Sequence, residues 1–293
     1  MLMTAAVGAF GSAPAAAGPI TFNTALPVSQ GELLFQETMM YRLLDDGTAL
    51  PDMRVAARAG ISVLAYGVTG KLTVFGMVPF LDKTLDMTTP MGAVHRANHG
   101  LGDSTFFVRY TVWQNNIAGA SFRVAPILGA VAPTGRDSYR DTYGAQPRMF
   151  QPGSGTWGVL GGVVATWQTL NYEIDTSLSY QGNGRHAGYS PGHVSEFDAS
   201  FQYRLLPRKL GNGLPHFLYG VLETNLIRTG RNVMNGSPVV ASGGTEWFIA
   251  PGLEYVTPRW VLQGVVQIPV QRNVPFGSLR DRRIYNVALR FNF

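Results

Sequence analysis

A membrane-spanning antiparallel β-barrel of about twelve strands is the fold that the sequence predicts, and three observations predict it. The chain closes on a strand with one aromatic face, which a soluble protein would leave as an aggregation-prone edge. Only 14% of the 293 residues are charged, against roughly a quarter in ordinary globular proteins. Long and short connections alternate along the chain, as in all-β up-and-down barrels of the bacterial outer membrane.

The chain ahead of the barrel divides into two parts. Residues 1–17 are small and apolar and end in Ala15-Ala16-Ala17, which predicts a secretory signal peptide with a small-x-small cleavage site. No Lys or Arg precedes the apolar stretch, so the basic region that usually begins a signal peptide is missing from this sequence. A disordered leader is the alternative interpretation. Residues 18–29 form a pre-barrel segment whose two prolines discourage a regular strand. We expect this segment to contact the lumen as a plug or gate, or else to lead directly into the first strand.

Residues 30–293 are predicted to form the barrel itself. Twelve segments carry strand-like alternation or a β-rich composition. Most of them exceed the roughly 9–11 residues that a tilted strand needs to cross a bilayer. The predicted bounds are 30–43, 52–66, 70–81, 103–114, 119–132, 156–168, 170–181, 194–206, 216–228, 244–256, 259–271 and 282–293.

The connections between these segments supply an independent test. Every second connection is long and rich in Gly, Pro, Asp and Asn, and the others are mostly tight turns. Such a pattern predicts long loops outside the cell and short turns in the periplasm. An even strand count then puts both ends of the barrel in the periplasm. The long connections are 44–51, 82–102, 133–155, 182–193, 229–243 and 272–281.

Alternation also assigns each side chain to a face. In segment 170–181 the phase places Ile174 and Leu178 against lipid and Asp175 in the lumen. Glu37 breaks the rule, since it falls in phase with apolar neighbours on the lipid side. A bulge, a neighbouring Arg or a different register would be needed to explain it.

The last strand has an aromatic face. Tyr285, Phe291 and Phe293 share one face with two aliphatic residues, and the chain stops on Phe293. The terminal Phe resembles the sorting signal of outer-membrane proteins. We therefore expect Tyr285, Phe291 and Phe293 to form the signal that the barrel-insertion machinery recognises.

Charged side chains of both signs are predicted to point into the lumen. A barrel of this size lies between the filled eight-stranded class and the open porins. One interpretation is a selective conduit, in which opposed charges act on a small polar or amphipathic solute. The other is a structural scaffold barrel whose salt bridges fill the lumen. The predicted lumen-lining residues are Arg54, Arg58, Arg109, Arg123, Glu173, Asp175, Glu196, Asp198, Arg204, Glu223, Glu246, Glu254 and Arg290.

The longest outside connection, 133–155, is the candidate to fold inward and constrict the pore. It carries Arg, Asp and Tyr side chains in addition to its Gly and Pro. A solvated surface loop is the equally weighted alternative.

Several stretches, taken in order, resemble one known family. They are residues 20–28 (Ile-Thr-Phe-Asn-Thr-Ala-Leu-Pro-Val), Gly100-Leu101-Gly102-Asp103 with Arg109-Tyr110, Ala132-Pro133-Thr134-Gly135, residues 151–155 (Gln-Pro-Gly-Ser-Gly), and Pro251-Gly252-Leu253-Glu254-Tyr255 through Trp260 to Gln267-Ile268-Pro269-Val270. Together they resemble the bacterial outer-membrane transporter family associated with the meta pathway of phenol degradation. The resemblance implies passive passage of small, often hydrophobic or aromatic molecules across the outer membrane, by a barrel surrounded by lipid.

The sequence gives little support to chemistry other than transport. The absence of Cys excludes disulfides, thiolate metal sites and a cysteine nucleophile, and no cofactor or metal is expected. The net charge of +5 comes from scattered basic residues, which argues against nucleic acid.

Two local patterns hint at a metal site and at an enzyme, and neither is specific. His95 and His99 lie four residues apart, a spacing that could bind a metal if the segment were helical. No third ligand follows at a spacing typical of a metal site, so we interpret both as loop histidines without a metal. Ser104 follows Asp103 close to His99, a weak hint of an outer-membrane lipid hydrolase. The stretch lacks the His-(Asp/Glu)-Ser-Asn-Gly run of outer-membrane phospholipases, so we expect no enzyme.

Overall fold

A computed structural model describes residues 17–47, 52–209 and 216–293. Most of the predicted signal peptide (residues 1–16) and parts of two predicted connections (48–51 and 210–215) lie outside the described residues. Twelve long strands account for most of the rest. They are β1 (Leu33–Asp45), β2 (Asp52–Gly67), β3 (Leu72–Thr89), β4 (Ser104–Tyr110), β5 (Ala120–Ala132), β6 (Gly158–Thr169), β7 (Tyr172–Asn183), β8 (Val194–Leu206), β9 (Phe217–Thr229), β10 (Gly244–Val256), β11 (Trp260–Asn273) and β12 (Arg280–Asn292).

These strands close into a single antiparallel barrel. Each strand pairs with the next in the chain, and β12 returns to pair with β1 over Leu34↔Asn292 to Asp45↔Arg280. Closure gives every strand a hydrogen-bonded neighbour on both sides, as hydrocarbon demands of any spanning structure, although the β11–β12 ladder ends at Gln267↔Ile284 toward the extracellular side. The predicted twelve-stranded barrel is confirmed.

The alternation of side chains follows the predicted phase along β7 and β12. Ile174 and Leu178 are exposed on the outer surface, whereas Asp175 is fully buried inside. On β12, Val287 is exposed and Ala288 is buried. The exposed apolar residues form the belt that meets lipid, because no water-facing surface would tolerate so many of them.

One long predicted loop is instead a projecting hairpin. Residues 82–102 continue β3 to Thr89, turn, and return as the strand Gly92–Leu101, which pairs with β3 along its outer half. The prediction of a loop was wrong here because the segment is polar on both faces beyond the membrane, so it lacks the apolar alternation that marks a strand. The return strand breaks at Gly102 and Asp103 before β4 begins.

Several short elements decorate the barrel. Trp113–Ile117 pairs with the periplasmic half of β5. The outer connections carry two-residue strands at Arg140–Asp141, Gly144–Ala145, Tyr189–Ser190, Val233–Met234 and Ser237–Pro238, and one 3₁₀ turn at Arg148–Phe150. Within the described ranges, no helix has the length and apolar character needed to pass through a bilayer.

Glu37 stays on the outer face, where its phase puts it. The Ser62 hydroxyl of β2 donates to its carboxylate at 2.5 Å, and β1 keeps an unshifted register with β2 around it. A cross-strand hydroxyl, which the sequence analysis did not consider, therefore partners this carboxylate.

Candidate functional site

The pre-barrel segment crosses the inside of the barrel near its periplasmic end. Two inward-facing carboxylates bind its first half. Glu223 accepts hydrogen bonds from the Ile20 N–H (2.6 Å), the Thr21 N–H (3.2 Å) and the Thr21 hydroxyl (2.6 Å). Glu254 accepts one from the Gly18 N–H at 3.4 Å. An irregular segment needs acceptors for its backbone N–H groups when it is buried, and these two side chains supply them.

Arg109 binds the second half of the segment from the opposite wall. Its guanidinium donates to the Thr24 carbonyl at 2.6 Å and to the Leu26 carbonyl. The same group lies 4.9 Å from the centre of the Phe75 ring. The flat, forked guanidinium can serve two carbonyls and one ring at once, which a Lys ammonium could not do as well. The segment is thus tied to the wall on both sides of the lumen.

Backbone N–H groups of the segment also find hydroxyls on the wall. Ala25 donates to Thr166 at 2.8 Å and Val28 donates to Thr73 at 3.2 Å. Thr166 in turn donates to the Asp175 carboxylate. The segment therefore lies in the lumen as a plug, and we call residues 18–28 the plug from here on.

One side of the lumen is lined by carboxylates. Six of them come from the four adjacent strands β7 to β10, and we call this set the carboxylate wall. Five members are almost completely buried, at 0–4% exposure, and Glu196 is partly buried. Because burying carboxylates without partners is costly, the plug's donors and nearby arginines are needed to hold them. The carboxylate wall is Glu173, Asp175, Glu196, Asp198, Glu223 and Glu254.

Three of the other predicted lumen residues are arginines that lie inside the barrel. Arg290 lies inside, 4.0 Å from Glu254. Arg204 and Arg123 face inward near the periplasmic end, where Arg204 donates to the Asn171 side chain at 2.7 Å and Arg123 to Ser121 at 2.8 Å.

Glu246 faces inward near the extracellular end. Its carboxylate accepts from the Asp281 N–H at 2.9 Å, and the Arg42 guanidinium binds the Asp281 side chain at 2.5 and 2.7 Å. Sequence reasoning missed Asp281, because it placed this residue in the connection 272–281 and not in a strand.

Arg54 and Arg58 were predicted to line the lumen, and that prediction was wrong. Both are exposed, while their neighbours Val55, Ala57 and Ala59 are buried. Arg58 lies 6.0 Å over the ring of Tyr41 on the outside of the barrel. The assignment failed because it took the phase of β2 one residue out of step, and charged side chains mark the inner face only where the outer face meets hydrocarbon.

Opposite the carboxylate wall, most lumen-facing side chains are apolar, although Gln36, Thr38 and Thr105 also line this side. Phe75 and Phe107 stack with ring centres 4.4 Å apart and planes 8° from parallel. A cavity of about 540 Å³ lies between this surface and the plug. We call its apolar lining the apolar wall: Met40, Ile61, Val63, Phe75, Met77, Phe107, Ile127 and Leu160.

The connection 133–155 folds inward across the extracellular mouth. Its 3₁₀ turn brings Phe150, only 4% exposed, against Val55 of β2 and Leu85 of β3. The connection begins at β5 and ends at β6, which are adjacent to each other but lie at least two strands around the barrel from β2 and β3. It therefore spans part of the mouth, which is the inward-folding alternative of the sequence analysis.

Asp103 fixes the base of this connection. Its carboxylate accepts from the Gly135 N–H at 3.0 Å and from the N–H and hydroxyl of Ser154 at 2.7 and 2.6 Å. Gly135 and Gly153 pass so closely that a Cβ on either would overlap the other's backbone at 2.4–2.6 Å. The two ends of the connection are thus clamped together above the break between the projecting hairpin and β4.

A second anchor of the connection is electrostatic. Arg96 of the projecting hairpin binds the Asp141 carboxylate with two hydrogen bonds of 2.8 Å. These bonds, with others from Gln146 and the Tyr143 N–H, lower the pKa of the Asp141 carboxyl to about 2. Because the pKa of Asp141 is lowered in the folded protein, its interactions stabilise the folded connection at pH values above the ordinary carboxyl pKa. This contribution is lost as the pH falls through the folded pKa of about 2.

We expect the Asp141→Asn variant to show noisier single-channel current than the wild type, because the connection over the mouth loses its ion pair. Wild-type noise should stay the same between pH 7 and pH 4, since Asp141 remains ionised over that range. Arg140→Asn is the control, because Arg140 is exposed next to the ion pair. Equal noise in all three proteins would show that this ion pair does not hold the connection in place.

The residues weighed for other chemistry have structural partners. The Ser104 hydroxyl lies 2.8 Å from the Thr134 hydroxyl, and Asp103 is occupied by the connection. His95 lies on the projecting hairpin, with Nδ1 2.6 Å from the Asp86 carboxylate. In the described parts of the chain, no three His, Cys, Asp or Glu side chains gather as a metal site would require.

Comparisons with known proteins complete the description. The model of the family described as MetA-pathway of phenol degradation matches residues 44–272. No curated protein sequence matches the chain.

Among solved structures, an outer-membrane channel from Pseudomonas putida F1 is similar with a TM-score of 0.69 and 13% identity, covering 92% of this chain and 98% of that one. The translocator domain of the autotransporter NalP from Neisseria meningitidis gives a TM-score of 0.46 and 10% identity, covering 92% and 91%. The first likeness supports the barrel fold.

Proposed function

The chain belongs to the family of the MetA pathway of phenol degradation, and from this membership we propose that it is a bacterial outer-membrane channel for the passive passage of small apolar molecules, aromatic ones included. The described residues supply a lumen, a plug and a partly covered mouth. Small apolar molecules would pass through the lumen, between the plug and the barrel wall.

The apolar wall is the observation that carries the proposal. Barrels that conduct ions and polar nutrients have polar interiors. Here eight apolar side chains, including the stacked rings of Phe75 and Phe107, face a cavity of about 540 Å³ that polar side chains also line. An apolar surface with a few polar groups opposite it is the usual lining of a site for small organic molecules. An aromatic solute would gain contact with the rings at little cost in lost hydration.

The carboxylate wall and the inward arginines limit what else passes. Charges of both signs face the same lumen, so neither simple anions nor simple cations are strongly favoured. A neutral solute with one polar group, such as a phenol, meets an apolar surface on one side and hydrogen-bonding groups on the other. This combination favours neutral amphipathic molecules over ions.

One observation favours a second candidate, a scaffold barrel without a pathway. The plug fills the periplasmic part of the lumen, and connection 133–155 covers part of the opposite mouth. If both stay in place, the barrel passes nothing. A conductance measurement separates the two functions, because a scaffold produces no current steps.

The test is single-channel recording in planar bilayers with and without phenol. We expect phenol to interrupt the current, and the Phe107→Ser variant to weaken that block by about tenfold, since loss of a buried ring contact costs on the order of 1.5 kcal/mol. Phe106→Ser is the matched control, because Phe106 is adjacent in β4 but 55% exposed on the outer surface.

Three results would contradict the proposal in different ways. Current without any block by phenol would indicate a polar pore. Equal effects of Phe106→Ser and Phe107→Ser would mean that the apolar wall has no special role. Correctly folded protein that never conducts, even with its plug deleted, would support the scaffold.

A further inference from the structure

The barrel wall has a cleft where β11, β12 and β1 meet at the extracellular end. The hydrogen-bonded ladder between β11 and β12 stops at Gln267↔Ile284. Both strands continue outward from there, β11 to Asn273 and β12 from Arg280. β12 keeps its pairing with β1 up to Arg280, so the wall opens on the β11 side only.

This opening forms a cleft of about 490 Å³ that is lined mainly by arginine. Four arginines and one aspartate line it, and a tyrosine and a leucine complete the lining. We call it the arginine cleft. Its lining residues are Leu43, Asp45, Arg272, Arg280, Arg282, Arg283 and Tyr285.

The charges within the cleft are not balanced. Asp45 binds both Arg280 and Arg282, each at 3.1 Å from Nε to a carboxylate oxygen. Among the residues that the structure describes, neither Arg272 nor Arg283 has a carboxylate within ion-pair distance. The cleft therefore has positive charge left over for a ligand.

The cleft lies at the upper edge of the membrane belt. Tyr285 stacks with Tyr41 at 6.3 Å on the outer surface, and aromatic side chains of this kind mark the membrane–water interface of a barrel. The next outward-facing pair toward the periplasm is Met39 of β1 and Val287 of β12. These side chains are 62% and 54% exposed, as expected of residues that contact lipid. The arginines of the cleft are thus at the level of lipid headgroups in the outer leaflet.

We propose that the arginine cleft binds the phosphorylated headgroup of a glycolipid in the outer leaflet. Guanidinium groups bind phosphate with paired, charge-assisted hydrogen bonds. Clusters of basic residues at a membrane surface select anionic headgroups. Leu43 and the Tyr285 ring offer apolar contact for the sugar or the start of an acyl chain beneath the phosphate.

Position and composition together favour this ligand over others. An arginine on the lipid-facing side of a barrel is tolerated near the membrane–water interface, where its cost is small compared with that at the bilayer centre. Four of them grouped around one carboxylate need anions to offset their mutual repulsion. A headgroup phosphate is held at this depth by its own acyl chains, which free phosphate in solution is not.

The experiment measures lipid binding to the purified, detergent-solubilised protein by native mass spectrometry. Bis-phosphorylated lipid A is compared with its dephosphorylated form, and inorganic phosphate is used as a competitor. We expect the wild type to retain bis-phosphorylated lipid A, and the double variant Arg272→Gln/Arg283→Gln to bind it about tenfold more weakly, as loss of two charge-assisted contacts predicts. Asp45→Asn should strengthen binding, because it frees two guanidinium groups.

The control is Arg185→Gln/Arg231→Gln, which removes two exposed arginines from outer connections at the same end. Equal lipid binding by the cleft and control variants would overturn the proposal. So would equal retention of dephosphorylated lipid, and displacement of the lipid by millimolar phosphate would reassign the cleft to the free anion. Resistance of the folded barrel to unheated SDS shows that each variant is assembled. None of these outcomes bears on the conductance test of the channel.

Discussion

Deletion of the plug, residues 18–28, is expected to raise the single-channel conductance several-fold. The plug spans the lumen between the carboxylate wall and Arg109, so its removal leaves a continuous water-filled passage. A twelve-stranded barrel is wide enough to leave such a passage once nothing fills it. The measurement is the current step at fixed voltage and salt.

The same deletion should change ion selectivity. The Glu223 carboxylate loses its donors from Ile20 and Thr21, and its neighbours on the carboxylate wall become exposed to the open lumen. Arg109 also loses its carbonyl partners, but the carboxylates outnumber the inward arginines at that level. We expect the reversal potential in a salt gradient to shift toward cation selectivity.

A point variant tests the same contact while the plug remains present. Glu223→Gln keeps the plug and the shape of the wall but turns one acceptor oxygen into a donor that faces the donors of Thr21. We expect brief openings to the large conductance level, at a frequency below that of the deletion. Unchanged conductance and selectivity in the deletion variant would mean that the plug does not limit passage.

The Phe293→Asp variant is expected to lose most of its assembly into the outer membrane. Phe293 closes the seam of the barrel, since its N–H donates to the Leu33 carbonyl at 2.8 Å and its carbonyl accepts from the Leu33 N–H at 3.2 Å. Its ring is exposed on the outer surface beside Phe291, 6.3 Å between centres. A carboxylate there cannot be placed against lipid, and it removes the aromatic end that we propose the insertion machinery reads.

Heat-modifiable migration of the barrel in outer-membrane fractions measures this effect. Phe276→Asp is the matched control, because Phe276 is 87% exposed in the connection before β12 and should tolerate the same change. Refolding of Phe293→Asp in detergent separates the two causes. A variant that refolds normally but fails to assemble in cells has lost the signal, and one that does neither has lost the seam. Normal outer-membrane levels would contradict both.

The strands that cross the membrane could be predicted from the sequence because the bilayer imposes a strict rule on them. Along β7, the residues that face lipid are mostly apolar, as Ile174 and Leu178 are, while Asp175 in the lumen is free to be charged. The rule ceases to apply outside the bilayer. The hairpin that ends in Gly92–Leu101 and the outward position of Arg54 and Arg58 both lie beyond that limit, and both were predicted wrongly.

The composition of the candidate site depended on neighbours far apart in the chain. Phe75 and Phe107 were part of recognisable strands, but their stacking required that β3 and β4 pair in one particular register. The sequence of the plug is mildly apolar and contains two prolines, which did not by themselves predict its position in the lumen. Nothing local shows that its N–H groups meet a carboxylate 203 residues away.

By itself, the sequence determined the number of strands, the face of each side chain within the bilayer, and the end of the chain that seals the barrel. These features follow from alternation with a period of two and from the need to satisfy every backbone group in hydrocarbon. The tertiary structure alone decided that the plug lies in the lumen, that Phe150 reaches across the mouth, and that four arginines share one cleft. Those contacts arise when the ring closes, because closure makes neighbours of residues whose separation along the chain carries no periodic signal.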